Sequence, residues 1–172
     1  DCLIIHDTQT PGVRTAAVIA NHFANPRSEA AAHFIIGKAG EIIQCVAESQ
    51  RAWHVGPSLL AGVPRVNDVS IGIELVNTGR YPDWYHSGRQ SMDEAYTEAQ
   101  IAATSALLRQ LHAALPNLRL IAGHEDLDTA RVEASDDPEI RVYRKRDPGP
   151  HFPWPRILTE TGLTRLQPET AA

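Results

Sequence analysis

His124 and Asp147 stand at the two ends of a long polar segment, and each is tied to a stiff piece of chain. The apolar run Leu120–Ala122 delivers Gly123-His124, while Asp147 opens the turn Asp147-Pro148-Gly149-Pro150. A histidine and an aspartate presented in this way can share one metal ion, with a third ligand from elsewhere in the chain. Two more apolar runs end on a polar residue in the same manner: Cys2–Ile5 leads into His6, and Ile71–Ile73 into Glu74. Ligand sites in open α/β sheets gather at the carboxyl edge of the strands. If the three runs are parallel neighbours, His6, Glu74 and His124 face one crevice, and the long segment brings Asp147 over to them. Two histidines, one carboxylate and an open fourth position make a catalytic zinc site.

Taken singly, these residues have plainer explanations. A lone histidine at a strand end is most often a hydrogen-bonding group of the core or its rim. Lys145-Arg146-Asp147 alone reads as a solvated, charged turn. Glu74 is harder to dismiss, because a carboxylate inside an apolar strand is costly to bury unless it is paired or used. The weight lies in the combination.

The elements that must position these groups follow from pattern. Cys2–Ile5 and Ser70–Leu75 are apolar runs of the kind covered on both faces of a sheet. Thr15 to Phe23 has helical spacing, with Ala16, Ile19, Ala20 and Phe23 on one side. Ala31–Ile36 and Glu41–Val46 read as strands joined by a hairpin turn at Gly37-Lys38-Ala39-Gly40. Thr97-Glu98-Ala99-Gln100 reads as a capping box, opening a helix whose core stripe is Ala99, Ala103, Ala106, Leu107, Leu111 and Ala114 and which Pro116 ends. A short terminal helix is expected over Pro153–Thr161, beginning at Pro155. Thr129–Arg141, polar and acidic, reads as a loop beside the site, and Trp84-Tyr85 as a second candidate wall. Strands alternating with helices, plus one hairpin, predict an α/β fold: a single domain over residues 1–172, with a central mixed β-sheet flanked by helices on both faces.

Composition narrows the class. The 172 residues are 42% apolar, enough for one ordinary core, and the net charge of −5 argues against a nucleic-acid partner, which calls for a basic footprint. No apolar run approaches the ~18 residues of a membrane span. Cys2 and Cys45 are too few for a disulfide framework and read as two small core hydrophobes. The chain starts at Asp1 rather than Met, so a processed form, with a signal peptide removed, is an open expectation.

Seven segments, in register over nearly the whole chain, resemble a known family. They are Ile4-Ile5-His6, Ala31-Ala32-His33, Gly40-Glu41-Ile42-Ile43-Gln44, Arg51-Ala52-Trp53-His54-Val55-Gly56, Asn67-Asp68 with Ser70–Leu75, Gly123-His124-Glu125-Asp126, and Arg144–Trp154. Their order and content are similar to the zinc-dependent N-acetylmuramoyl-L-alanine amidases of type 2, the AmpD-like enzymes related to phage lysozyme amidases and peptidoglycan recognition proteins. The resemblance implies one zinc ion on His6, His124 and Asp147, with Glu74 as the catalytic carboxylate and Lys145 as the catalytic lysine. It implies hydrolysis of the amide between the lactyl group of N-acetylmuramic (or anhydromuramic) acid and the L-alanine of the stem peptide, in peptidoglycan or its fragments. Beside that machinery, Trp53 and His54 are expected to line the substrate groove, Arg51 and Asn67 to bind glycan or peptide carboxylate, and His33 to support the site. The expected partner is peptidoglycan or a muropeptide, met by a monomer on the wall-facing side, with cytoplasmic recycling as the other location these motifs serve. A wall-binding module of the same fold without activity and a zinc peptidase of stem peptides are the rival readings. The departure from the family's compact members is the inserted stretch Thr129–Arg141.

Overall fold

The computed structural model describes residues 1–11, 14–56, 58 and 65–166. Strand β1 (Cys2–Asp7) is buried along its whole length, as its unbroken apolar run requires of a strand with neighbours on both edges and layers on both faces. Next come α1 (Ala16–Phe23), capped by the Thr15 side chain, β2 (Phe34–Ile36), β3 (Ile42–Gln44) and β4 (Ser70–Leu75). The longest helix, α2 (Glu98–Ala114), is followed by β5 (Leu120–Gly123) and the single turn α3 (His124–Leu127). The chain closes with β6 (Arg131–Glu133), β7 (Arg141–Tyr143), α4 (Trp154–Thr161) and β8 (Thr164–Arg165).

Six strands form one sheet in the order β3-β2-β4-β1-β5-β8. The β2–β3 hairpin is antiparallel and every other pair is parallel, so the sheet is mixed, as expected. Helices α2 and α4 cover one face, where Ile101, Leu108, Leu111 and Ile157 meet Leu3, Ile5, Ile73 and Ile121. On the other face α1 packs Ala16 and Ile19 against Ile35 and Val76. Cys2 is buried in the core and Cys45 is half-buried; both are free thiols.

Three expectations need correction. The hairpin strands are shorter than their apolar runs, Phe34–Ile36 and Ile42–Gln44, because β3 is an edge whose pairing ends with its partner. Helix α2 has the expected capping box, but its buried face is Gln100, Ile101, Thr104, Ser105, Leu107, Leu108 and Leu111 rather than the alanine stripe. Alanine gains little by burial, whereas Gln100 donates to Val76 O at 2.9 Å and Thr104 to Gln100 O at 2.7 Å, so these polar side chains go inside satisfied. The stretch Thr129–Arg141 is not a bare loop. β6 and β7 pair antiparallel with Val132 opposite Val142.

Candidate active site

Parallel pairing fixes the first two groups. His6 of β1 lies directly opposite Glu74 of β4, so their side chains leave the sheet on the same face at the same level. On the other edge of β1, Ile5 pairs with Gly123, and His124 is the residue at which β5 turns into α3. Asp147 arrives last and is held from two sides. Its carbonyl accepts the Glu125 N–H at 2.9 Å. Behind it, Pro148 packs so closely on Gly123 that a Cβ there would lie 2.6 Å from Pro148 Cδ, so only glycine lets the turn close against β5. The Tyr96 hydroxyl donates to Pro148 O at 2.7 Å and anchors the far side of the turn.

The outcome is a triangle of donor atoms. His6 Nδ1 lies 3.0 Å from Asp147 Oδ2 and 3.1 Å from His124 Nδ1, and His124 Nδ1 lies 3.1 Å from Asp147 Oδ2. All three residues are buried. Ligand atoms ~2.0–2.1 Å from a tetrahedral ion stand roughly 3.3 Å apart, so these spacings are a slightly contracted ligand face. Hydrogen bonding alone serves the triangle badly, since two N–H groups aimed at Asp147 Oδ2 would face each other at 3.1 Å and a bare nitrogen would face the carboxylate. His124 Nε2, Asp147 Oδ1 and Glu74 Oε2 are buried nearby without a partner, a pattern that marks a site built for something the protein does not itself supply. The residues fit a metal ion.

The triangle opens into a cavity of about 290 Å³ lined also by Asp7, Glu74, Arg80, Trp84, Tyr85 and Lys145. Burial, then the charges of Asp147 and Asp7, push the Glu74 carboxyl well above its ordinary range against the pull of Lys145. Burial also raises Asp147, but His124 and His6 outweigh it and hold that carboxyl well below the usual range. Burial lowers His6 to about 4 and holds His54 well below the ordinary imidazole value, so both rings are neutral at physiological pH.

Of the groove residues expected from the sequence, only His54 lines this cavity; Arg51, Trp53 and Asn67 are not among its described lining residues. Trp53 is exposed and Arg51 pairs with Asp68 at 3.2 Å, away from the triangle. Asn67 is occupied by backbone. It accepts the His54 and Val55 N–H groups at 3.3 and 3.0 Å and donates to Val55 O at 2.8 Å. Asn67→Ala is therefore expected to destabilise the fold by about 1–3 kcal/mol, read as a drop in Tm of several degrees. A variant that keeps its Tm and only loses substrate affinity would restore the ligand-binding expectation instead. His33 is buried and held by backbone: its Nδ1 accepts the Gly72 N–H and its Nε2 donates to Gln50 O, both at 3.0 Å.

Two cavity residues have no signal in the sequence. Asp7 reads as the polar end of a strand, yet its side chain is buried against the cavity. Arg80 reads as a loop cation, yet it is buried and donates to Gln90 Oε1, Tyr143 O and Arg144 O at 2.7–2.9 Å, tying the end of the β6–β7 hairpin to the cavity wall. The hairpin in turn backs the aromatic rim. Ser135 N–H donates to Tyr85 O at 2.9 Å, and Ser87 donates through N–H and hydroxyl to Asp136 at 2.7 and 2.6 Å.

A family model described as N-acetylmuramoyl-L-alanine amidase (Amidase_2) matches residues 1–150. The chain belongs to this amidase family. It is 38% identical over 133 residues to the 1,6-anhydro-N-acetylmuramyl-L-alanine amidase AmpD of Salmonella typhimurium, covering 77% of this chain and 58% of that protein. It is 36% identical over 119 residues to the N-acetylmuramoyl-L-alanine amidase AmiD of Escherichia coli, covering 69% of this chain and 37% of the relative. The chain thus spans about half the length of the curated family members it matches. Among solved structures, AmiD of E. coli in complex with the substrate anhydro-N-acetylmuramic acid-L-Ala-D-gamma-Glu-L-Lys superposes with a TM-score of 0.73 at 27% identity, over 95% of this chain and 57% of that one. Among the described residues, no helix is long and apolar enough to cross a membrane.

Proposed function

We propose that this chain is a zinc-dependent N-acetylmuramoyl-L-alanine amidase that cleaves the amide between the lactyl group of N-acetylmuramic or anhydromuramic acid and the L-alanine of the stem peptide. The observation that carries the reading is the buried His6/His124/Asp147 triangle opening into one cavity with Glu74 and Lys145. Two imidazoles and one carboxylate are a donor set suited to zinc, with a position left for water or substrate. Bound there, zinc would supply a water acidic enough to ionise near neutral pH and a Lewis acid for the scissile carbonyl. Glu74 takes the proton of the attacking water and returns it to the departing alanine amine. Lys145 places its ammonium against the oxygen on which charge develops, an interaction often worth ~10²–10³ in rate. Trp84 and Tyr85, exposed at the rim, offer flat faces to the sugar or peptide. With polymeric peptidoglycan as substrate the protein works on the wall-facing side; with soluble anhydro-muropeptides the same chemistry serves cytoplasmic recycling.

Mass analysis of the products tests the proposal. Release of stem peptides with an intact L-alanine amino terminus, lost on chelation and restored by zinc, is the expected result. Cleavage within the stem peptide would show a peptidase, and wall binding without cleavage would show a recognition module.

A further inference from the structure

His6 turns Nδ1, not Nε2, toward His124 and Asp147, and the reason can be followed outward to a serine that lines no part of the cavity. We propose that Ser70 is a positioning residue which, through His54, fixes the tautomer in which His6 presents a bare Nδ1 to the metal site. The inference rests on reading His6 as a ligand.

The argument is a count of protons. Ser70 Oγ lies 2.6 Å from Val66 O. A carbonyl oxygen cannot donate, so the single hydroxyl proton of Ser70 lies in that contact. Ser70 Oγ also lies 3.1 Å from His54 Nε2. With its own proton committed, the oxygen can only accept there, so His54 carries its proton on Nε2. A neutral imidazole has one N–H, which leaves His54 Nδ1 as a lone pair. That nitrogen is 3.0 Å from His6 Nε2. His6 Nε2 must therefore be the donor, and His6 Nδ1, 3.0 Å from Asp147 Oδ2, is the nitrogen left for a metal in the donor triangle. Run in the opposite direction, the chain would place a proton on His6 Nδ1, where the metal belongs. It would also leave Ser70 Oγ and Val66 O facing one another at 2.6 Å with no proton between them. The shortest contact sets the direction of the others.

The rings are held where this transfer of orientation needs them. His6 and His54 meet edge to face, with centroids 5.2 Å apart and planes at 83°. His54 lies over Gly72 so closely that a Cβ there would come within 2.3 Å of its Cγ. Asn67 holds the backbone N–H groups of His54 and Val55. Outer groups that orient a ligating histidine through its second nitrogen typically change metal affinity 10–100-fold when lost. Here the outer group is an imidazole, and an imidazole has two tautomers of its own. It can direct His6 only if something directs it, and Ser70 does so.

Long-range ¹H–¹⁵N spectra of the metal-free protein labelled at histidine nitrogen report the tautomers directly. The expected result is Nε2–H with unprotonated Nδ1 on His54, the ring that Ser70 addresses; an Nδ1–H form of His54 overturns the proposal. Ser70→Ala should lower the affinity for Zn²⁺, measured by competition with a chelator, by about 10–100-fold. It should also move the His54 and His6 nitrogen shifts toward a mixture of tautomers. Ser70→Thr, which keeps the hydroxyl, should restore both. Unchanged zinc affinity in a folded Ser70→Ala variant would overturn the proposal, because a purely structural serine would alter Tm alone. If Ser70→Ala does not fold, the wild-type and Ser70→Thr spectra decide. Wild-type protein with the expected tautomers but no uptake of zinc would remove the metal reading of the triangle and leave the tautomer relay standing.

Discussion

Replacing Glu74 by glutamine is expected to lower turnover about 10²–10⁴-fold, the range lost when a positioned acid–base group is removed. Zinc affinity should stay within a few-fold of wild type, because Glu74 is not one of the three clustered donors. Glutamine keeps the shape of the side chain and removes only its capacity to carry a proton, so the result separates proton transfer from packing. Stability offers a second readout with a definite sign. In the metal-free protein the Glu74 carboxyl is held well above its ordinary 4.5, so above that pH the folded chain binds more protons than the unfolded one. Stability then falls as pH rises from about 4.5 toward the raised folded-state value. Glu74→Gln should flatten that fall, leaving Tm at neutral pH equal to or above that of wild type. Turnover within a few-fold of wild type would show that another group moves the proton.

Asp147→Ala is expected to weaken zinc binding by more than 100-fold, beyond the loss typical of an outer-shell partner. Activity at limiting zinc should disappear with it. Asp147 supplies the only negative charge in the triangle, and its carboxylate is held ionised by His124 and His6 despite burial. Titration against a chelator of known affinity gives the constant. Zinc also raises Tm in proportion to the logarithm of its concentration over Kd, so the shift seen in wild type should largely vanish in the variant. Undiminished zinc affinity would place the third ligand elsewhere.

Much of this architecture is legible in the sequence, and the unread parts share a cause. β1, β4 and β5 are visible because central parallel strands are unbroken apolar runs, and the polar residue ending each run marks the carboxyl edge. That pattern brings His6, Glu74 and His124 to one edge, where the structure also places them. The ends of α2 are visible through Thr97 and Gln100, since a cap is a local interaction. Its buried face is not, because Gln100 goes inside for the sake of Val76 O, a partner 24 residues away. Asp7 and Arg80 escape notice for the same reason: their burial is a property of the assembled cavity rather than of their neighbours in sequence. The β6–β7 hairpin leaves a faint trace, Arg-Val-Glu and Arg-Val-Tyr, each with a valine less exposed than the residues beside it. Three residues of alternation set among charges are too few to be read as a strand.

The contact between Gly123 and Pro148, with the Glu125 N–H on Asp147 O beside it, makes the site indifferent to how far the chain travels between His124 and Asp147. Both residues are gripped at the point of contact, so the intervening chain has only to return. Closing a loop twice as long costs only about 0.6 kcal/mol more. Geometry at the donor atoms is thereby separated from ancestry in the excursion. Selection could lengthen, shorten or refold the segment that became β6 and β7, and so reshape the rim that meets the substrate, while the three donor atoms stayed where they were.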